Sequence, residues 1–325
     1  MPATEPFPKI ELHVHLEGTV RPDTLRAIAK RNEFALPDDL EALYRFRDFA
    51  HFIEVFAFAT GALRRYDDFR EIVVAYAAEA ASHGAVYLEG IFAPGLWRGD
   101  VDPEELFAGY CDGAQQAKEL HGVEVRLTPD IPRVYPLEDA IRTAELAVKY
   151  ADRGIVGIGL GGPEDGHPPE PYAEAFALAR AGGLASVPHA GEAAGAASVR
   201  GALEELQADR IRHGIRAVED PGLVAELAGR GTVLDVCPLS NLRTGVVRSL
   251  EEHPLPQLVA AGVQCSISTD DPAMFDTDLT RDYEAAASLG VSPRAAYEAG
   301  VAGALCDDET RERLRILGSR HDWVG

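Results

Sequence analysis

Eight short runs rich in β-branched and apolar residues recur along the 325-residue chain, and long Ala, Leu, Glu and Arg segments with helical spacing separate them. The runs fall at 10–15, 85–91, 123–128, 155–160, 184–189, 210–213, 232–236 and 263–268, with helical segments at 69–83, 103–121, 137–153, 172–181, 221–229 and 255–261. Eight alternations of this kind predict an α/β fold of one architecture, a closed (β/α)8 TIM barrel, rather than an open doubly wound sheet. No Gly-rich GxGxxG follows the first run, which disfavours a dinucleotide-binding sheet. The stretch between the first two runs is too long for one helix. Segments 24–32, 37–44 and 46–60 predict extra helices, with an aromatic cluster of Phe46, Phe49, Phe52, Phe56 and Phe58 that either packs on the barrel rim or forms a lid. The expected organisation is one domain over 1–325, with a helical insertion at about 20–66 over the barrel mouth.

Composition narrows the partners. The chain carries 31 Lys and Arg against 53 Asp and Glu, a formal net charge of −22. Nucleic acid polymers and anionic membrane surfaces both require a basic footprint that such a chain lacks. No apolar stretch is long enough to span a bilayer, and the amino-terminal segment lacks the pattern of a secretory signal. Four widely spaced cysteines without a CxxC pair fit a reducing compartment, so the expected location is the cytoplasm. The oligomeric state is not encoded in any of these features.

In a barrel the carboxyl ends of the strands converge on one face, and the polar residues at those ends form a pattern. The first run ends in His13-Val14-His15, the fifth in His189 and the sixth in His213, while the eighth leads into Asp270-Asp271. His13 and His15, two apart on a strand, share a face and can bind one ion together. With His189 and Asp270 they make three imidazole nitrogens and a carboxylate oxygen, a donor set suited to zinc. Glu192, three residues beyond His189, can reach a metal-bound substrate as a general acid or base. His213 can orient or deprotonate a water, and Asp271 leaves a second carboxylate beside the ligand Asp270. Zinc lowers the pKa of a bound water to about 7. Those residues therefore predict hydrolysis at a polarised carbon by a single metal ion.

The segments PKIELHVHLEG, VYLEGIFAP, HAGE, RIRHGIRA, CPLSN and STDDPAMF occur in the order found in the adenosine and adenine deaminase family, a branch of the metal-dependent amidohydrolases, which the chain resembles from about Pro8 to Phe275. The resemblance implies one zinc ion per chain, held by His13, His15, His189 and Asp270. It implies that Glu192 protonates purine N1 while hydroxide adds to C6, that His213 and Asp271 orient and activate the water, that the Gly162 backbone contacts the purine, and that ammonia leaves. The chain departs from the family pattern twice. It reads Leu160-Gly161-Gly162-Pro163-Glu164 where LAGDE is usual, and Arg210-Ile211-Arg212-His213-Gly214 where RIGHG is usual. Both departures bear on the substrate and not on the metal.

Three small-molecule substrates fit the resemblance: adenosine, free adenine, and 6-aminodeoxyfutalosine, a menaquinone precursor whose ribose carries a carboxyphenyl-ketone arm. That arm would need a cation and aromatic surface near the mouth. Arg212, Arg98 with Trp97, and Arg64 with Arg65 are the candidates. A binuclear amidohydrolase would carry a bridging lysine at the end of the fourth run, where this chain has glycine and leucine. A catalytically silent barrel would have lost at least one member of the constellation, and all seven residues are present.

Overall fold

Residues 6–47 and 49–323 are described by a computed structural model. The strands are β1 Lys9–His15, β2 Ala85–Phe92, β3 Glu124–Pro132, β4 Gly157–Gly161, β5 Ala185–Ser186, β6 His189–Ala190, β7 Arg210–His213, β8 Val233–Val236 and β9 Gln264–Ile267. All pair in parallel, in the orders β1-β2-β3-β4-β5 and β6-β7-β8-β9. The ring closes on one side where Asp270 N–H donates to His13 O at 3.1 Å and His15 N–H donates to Asp270 O at 2.8 Å. On the other side the fifth run is split in two. Val187 still donates to Ile158 O on the β4 side and Pro188 O still accepts from Arg212 on the β7 side. Pro188 has no N–H to give to β7, and the ladder breaks there. The eight predicted runs are thus the eight staves of the barrel.

Helices fill the connections, with ends set by their sequences. Pro103–His121 starts at Asp102, whose side chain accepts from Glu104 N–H, and stops at Gly122 in the left-handed region. Pro221–Arg230 uses Asp220 and Gly231 in the same way. Pro22–Arg31, the single turn Leu40–Leu43 and Phe49–Thr60 form the insertion, so its middle helix is much shorter than expected. Phe52 packs on Phe46 and Phe275, with ring centroids 5.3 and 4.9 Å away. Phe49 lies outside the described side chains. Pro293–Gly303 and Asp308–Arg320 follow β9 and bring Tyr297, Val301 and Leu314 against Ile10, Leu12 and Tyr87 in a small second core. Among the described residues no helix is long and apolar enough to cross a membrane.

Two features of the strands place the site. The register of β1 jumps between Glu11 and Val14, and the N–H groups of Leu12 and His13 both donate to Ser268 Oγ at 3.1 Å. This bulge re-phases the strand, so that Leu12 joins the small core while His13 and His15 reach the mouth. Below the mouth the interior is ionic. Arg210 donates to Asp235 Oδ2 and Glu89 Oε2, each at 2.6 Å, and Arg212 donates to Asp130 Oδ1 and, at 2.6 Å, to Thr128 Oγ1. Strand β7 is not a neighbour of β2 or β3, so the bonds to Glu89, Asp130 and Thr128 cross the lumen.

Candidate active site

A cavity of about 190 Å³ opens at the carboxyl ends of the strands. Its floor is polar, with His15, His189, Glu192, His213, Asp270 and Asp271, and its mouth is apolar, with Phe52 and Phe56 from the inserted helix facing Leu96, Val134 and Tyr135. The aromatic insertion is therefore one wall of the cavity as well as a packed face.

Four ligand atoms converge at the floor. His13 Nε2 and His189 Nε2 are 3.1 Å apart, His15 Nε2 and His189 Nε2 3.2 Å, and Asp270 Oδ1 lies 3.2 Å from His13 Nε2 and 3.3 Å from His15 Nε2. A tetrahedral ion with bonds of about 2.0–2.1 Å has ligand–ligand edges of about 3.3–3.4 Å, and these four edges fall at or just under that length. The outer nitrogens agree with the assignment. His189 Nδ1 faces Leu160 O at 3.1 Å and Asp130 Oδ2 at 3.3 Å, two acceptors that hold its proton and leave Nε2 bare. His13 Nδ1 faces Asp235 O at 3.5 Å. Burial takes His189 down to about 3 and holds His13 well below the ordinary imidazole range, so both rings are neutral. Bare nitrogens so close together around a carboxylate oxygen need a cation between them, and the donor set fits zinc.

The carboxylate ligand is held from behind. Ser240 Oγ donates to Asp270 Oδ2 at 2.6 Å. Burial opposes ionisation of Asp270, and a cation held among the bare imidazole nitrogens would keep it charged. Asp270 and His213 also have positive φ, at 68° and 61°, where non-glycine residues are uncommon. Such backbone costs roughly 1–3 kcal/mol per residue and tends to mark functional sites.

Glu192, half-buried, and Asp271, buried, are acids in the same floor. Burial pushes the carboxyl of Glu192 well up, and the carboxylates of Asp270 and Glu164 push it further. Asp271 is raised for the same reasons, burial first and then Asp270. His213 Nε2 lies 3.6 Å from Glu192 Oε2 and 3.8 Å from Asp270 Oδ2. A chain of bonds fixes its tautomer. Leu255 N–H donates to His253 Nδ1 at 3.0 Å, which leaves the His253 proton on Nε2, 3.2 Å from Asn241 Oδ1. Asn241 then turns its NH2 to His213 Nδ1 at 3.2 Å, and His213 presents Nε2–H to the cavity.

With that geometry in place, the model of the adenosine deaminase family matches residues 8–316. The chain belongs to the adenosine deaminase family. Among its relatives, the aminodeoxyfutalosine deaminase of Acidothermus cellulolyticus is 52% identical over 334 residues, covering 99% of this chain and 94% of that protein. The solved structure of adenine deaminase from Arthrobacter aurescens superposes with a TM-score of 0.91 at 30% identity, over 96% of this chain and 98% of that one. An amidohydrolase from Burkholderia ambifaria, solved with bound zinc, superposes at 0.90 with 29% identity, over 96% of this chain and 90% of that one.

All seven floor residues that the sequence points to meet in this family member, and Gly162 lines the cavity beside Pro163 with φ 88°. The cations expected for a substrate carboxylate do not. Arg212 is fully buried and engaged by Asp130 and Thr128, because its strand points it into the lumen. Arg98 pairs with Glu138 and Asp139 outside the cavity, and Trp97 is buried against Thr60 O. Arg64 and Arg65 bond to the carbonyls of Gly61 and Arg31. None of these residues lines the cavity. Conversely, sequence reasoning misses Asp130, Glu164, Ser240 and Asn241, all of which touch the floor residues or their loops.

Proposed function

We propose that this protein is a hydrolytic deaminase that removes the 6-amino group of an adenine-bearing nucleoside, with aminodeoxyfutalosine as its substrate and one zinc ion per chain held by His13, His15, His189 and Asp270. The observation that carries the reaction is the convergence of those four ligand atoms beside the half-buried carboxyl of Glu192, whose proton affinity burial raises. Zinc at this position would supply a water that ionises near neutral pH. Glu192 keeps its proton until substrate binds and gives it to ring nitrogen N1 as the water oxygen adds to C6. One proton of the water passes to the amino group, which leaves as ammonia, and the proton of the new C6 hydroxyl returns to Glu192 as the C6 carbonyl forms. His213 presents an N–H, so its part is to orient and to stabilise negative charge, and taking a proton at rest is not open to it. Asp271 and the backbone of Gly162 border the space for the purine ring and hold it.

Two observations support the substrate. The relative at 52% identity over nearly the whole chain carries that activity in its name. The mouth, walled by Phe52, Phe56, Leu96, Val134 and Tyr135, suits an aromatic extension on the sugar. Free adenine is the second reading, favoured by the likeness to the Arthrobacter enzyme. The four free cysteines fit the cytoplasm as the place of action. Comparing kcat/KM for aminodeoxyfutalosine, adenosine and adenine, followed by the loss of adenine absorbance, tests the proposal. Adenine or adenosine turned over best would overturn the substrate, and no turnover of any of them with zinc bound would overturn the reaction.

A further inference from the structure

The loop that carries Glu192 runs from the end of β6 at Ala190 to the helix Ala196–Glu204. Its backbone does not pair with a neighbouring strand at Glu192, Ala193 or Ala194. Instead these three successive N–H groups all donate to one atom, Glu164 Oε2, at 3.1, 2.8 and 2.7 Å. Successive N–H groups turned towards one point form a concavity that ordinarily takes a bound anion. Here the chain's own carboxylate occupies it.

The second oxygen is also engaged. Glu164 Oε1 accepts from Ser198 Oγ at 3.1 Å and lies 3.9 Å from Arg133 Nη2. That guanidinium in turn donates to His189 O at 2.5 Å and to His167 O at 3.2 Å. Glu164 is buried, and bonds from N–H to a carboxylate are about twice as strong as neutral ones. Just before it in the chain, Gly162 and Pro163 line the cavity, and Glu192 lines it from the loop after the adjacent stave. One side chain therefore ties together two neighbouring loops of the cavity, the one with Gly162 and the one with Glu192.

We propose that Glu164 is a positioning residue that clamps the Glu192 loop and holds the Glu192 carboxyl in reach of the ring nitrogen. The proposal rests on the reading of Glu192 as the proton donor. It also accounts for a contrast within the departing segment: Pro163 replaces an acid and leaves the clamp intact, whereas a change at Glu164 would release three amides at once.

The test is a double-mutant cycle on the zinc-loaded enzyme with its best substrate, using Glu164→Gln, Glu192→Gln and the pair. Glu164→Gln should fold and keep its zinc, lower kcat by about 10–100-fold, as displacements near 1 Å do, and leave KM within about threefold. The pair should be no slower than Glu192→Gln alone, because a clamp has nothing to position once the donor is gone. Losses that multiply in the pair, a Glu164→Gln variant that changes only KM, or one with wild-type kcat would overturn the clamp while leaving Glu192 in its role. A Glu192→Gln variant with wild-type activity would overturn both. Should Glu164→Gln fail to fold, Ser198→Ala decides in its place: a fall in kcat of about 2–10-fold at unchanged KM supports the clamp, and no change overturns it.

Discussion

Gly18 and Asp271 are packed so tightly that a β-carbon on the glycine would lie 1.8 Å from Asp271 Oδ1. The space Gly18 leaves is occupied by a carboxyl that lines the cavity. Gly18→Ala should therefore push Asp271 out of place and lower kcat/KM by about 100-fold or more, while zinc content stays at the wild-type level. Steady-state kinetics with metal analysis on the purified variant checks this, and unchanged kinetics would remove Asp271 from the site.

Ser240 holds Asp270 by Oδ2, while Oδ1 is the oxygen that faces His13 and His15. Ser240→Ala should weaken zinc binding by about 10–100-fold, the usual cost of losing a partner behind a ligand. Competition with a chromophoric chelator reads the affinity directly. Stripping zinc from the wild-type protein should abolish turnover, and re-addition should restore it.

The bonds from His253 through Asn241 fix which nitrogen of His213 bears hydrogen. In Asn241→Ala that hydrogen is free to move to the other nitrogen. The expected result is a fall in kcat of about 10–100-fold, of the size seen when a donor near a developing charge is lost, with zinc affinity unaffected. Equal loss of zinc and activity would assign Asn241 to the metal instead.

Asp282 gives stability a pH slope. Burial raises its carboxyl from the ordinary 3.8 to about 8, against the bonds it accepts from Leu239 N–H and Thr277 Oγ1. Between about pH 4 and pH 8 the folded protein thus holds a proton there that the unfolded chain has released. The stabilising contribution is complete below the unfolded value and is lost as pH rises through that window. Melting temperatures measured from pH 5 to 8 should fall with pH, and they should fall less steeply in Asp282→Asn. An equal slope in the variant would show that Asp282 is ionised in the fold.

The barrel and the four residues that could hold a metal ion are legible in the sequence. The alternation that predicts the barrel is a property of periodicity, and strand ends carry the ligands because parallel staves share one direction. The remaining residues of the site are hidden for physical reasons. The third run reads as ending at Thr128 because Pro129 and Pro132 look like breakers, yet β3 continues to Pro132 and carries Asp130 to His189. Glu164 belongs to the loop that departs from the family pattern, but three amides on one oxygen leave no trace in a sequence. Ser240 and Asn241 lie in CPLSN, a segment that supports the resemblance without revealing which side chain meets which ligand. Arg212 misleads because adjacency to His213 along the chain suggests proximity to substrate. Along β7 Arg212 points across the lumen, and His213 reaches the site only through its left-handed backbone.

The charges that fill the lumen restrict how this chain can vary. Arg210 depends on Glu89 and Asp235, and Arg212 on Asp130, all of them buried. Losing one member leaves another charge buried without its counterpart, a penalty of about 3–5 kcal/mol. Positions 89, 130, 210, 212 and 235 are therefore costly to change one at a time. In the apolar cavity wall above them a volume-conserving exchange leaves no buried charge behind and costs the fold less.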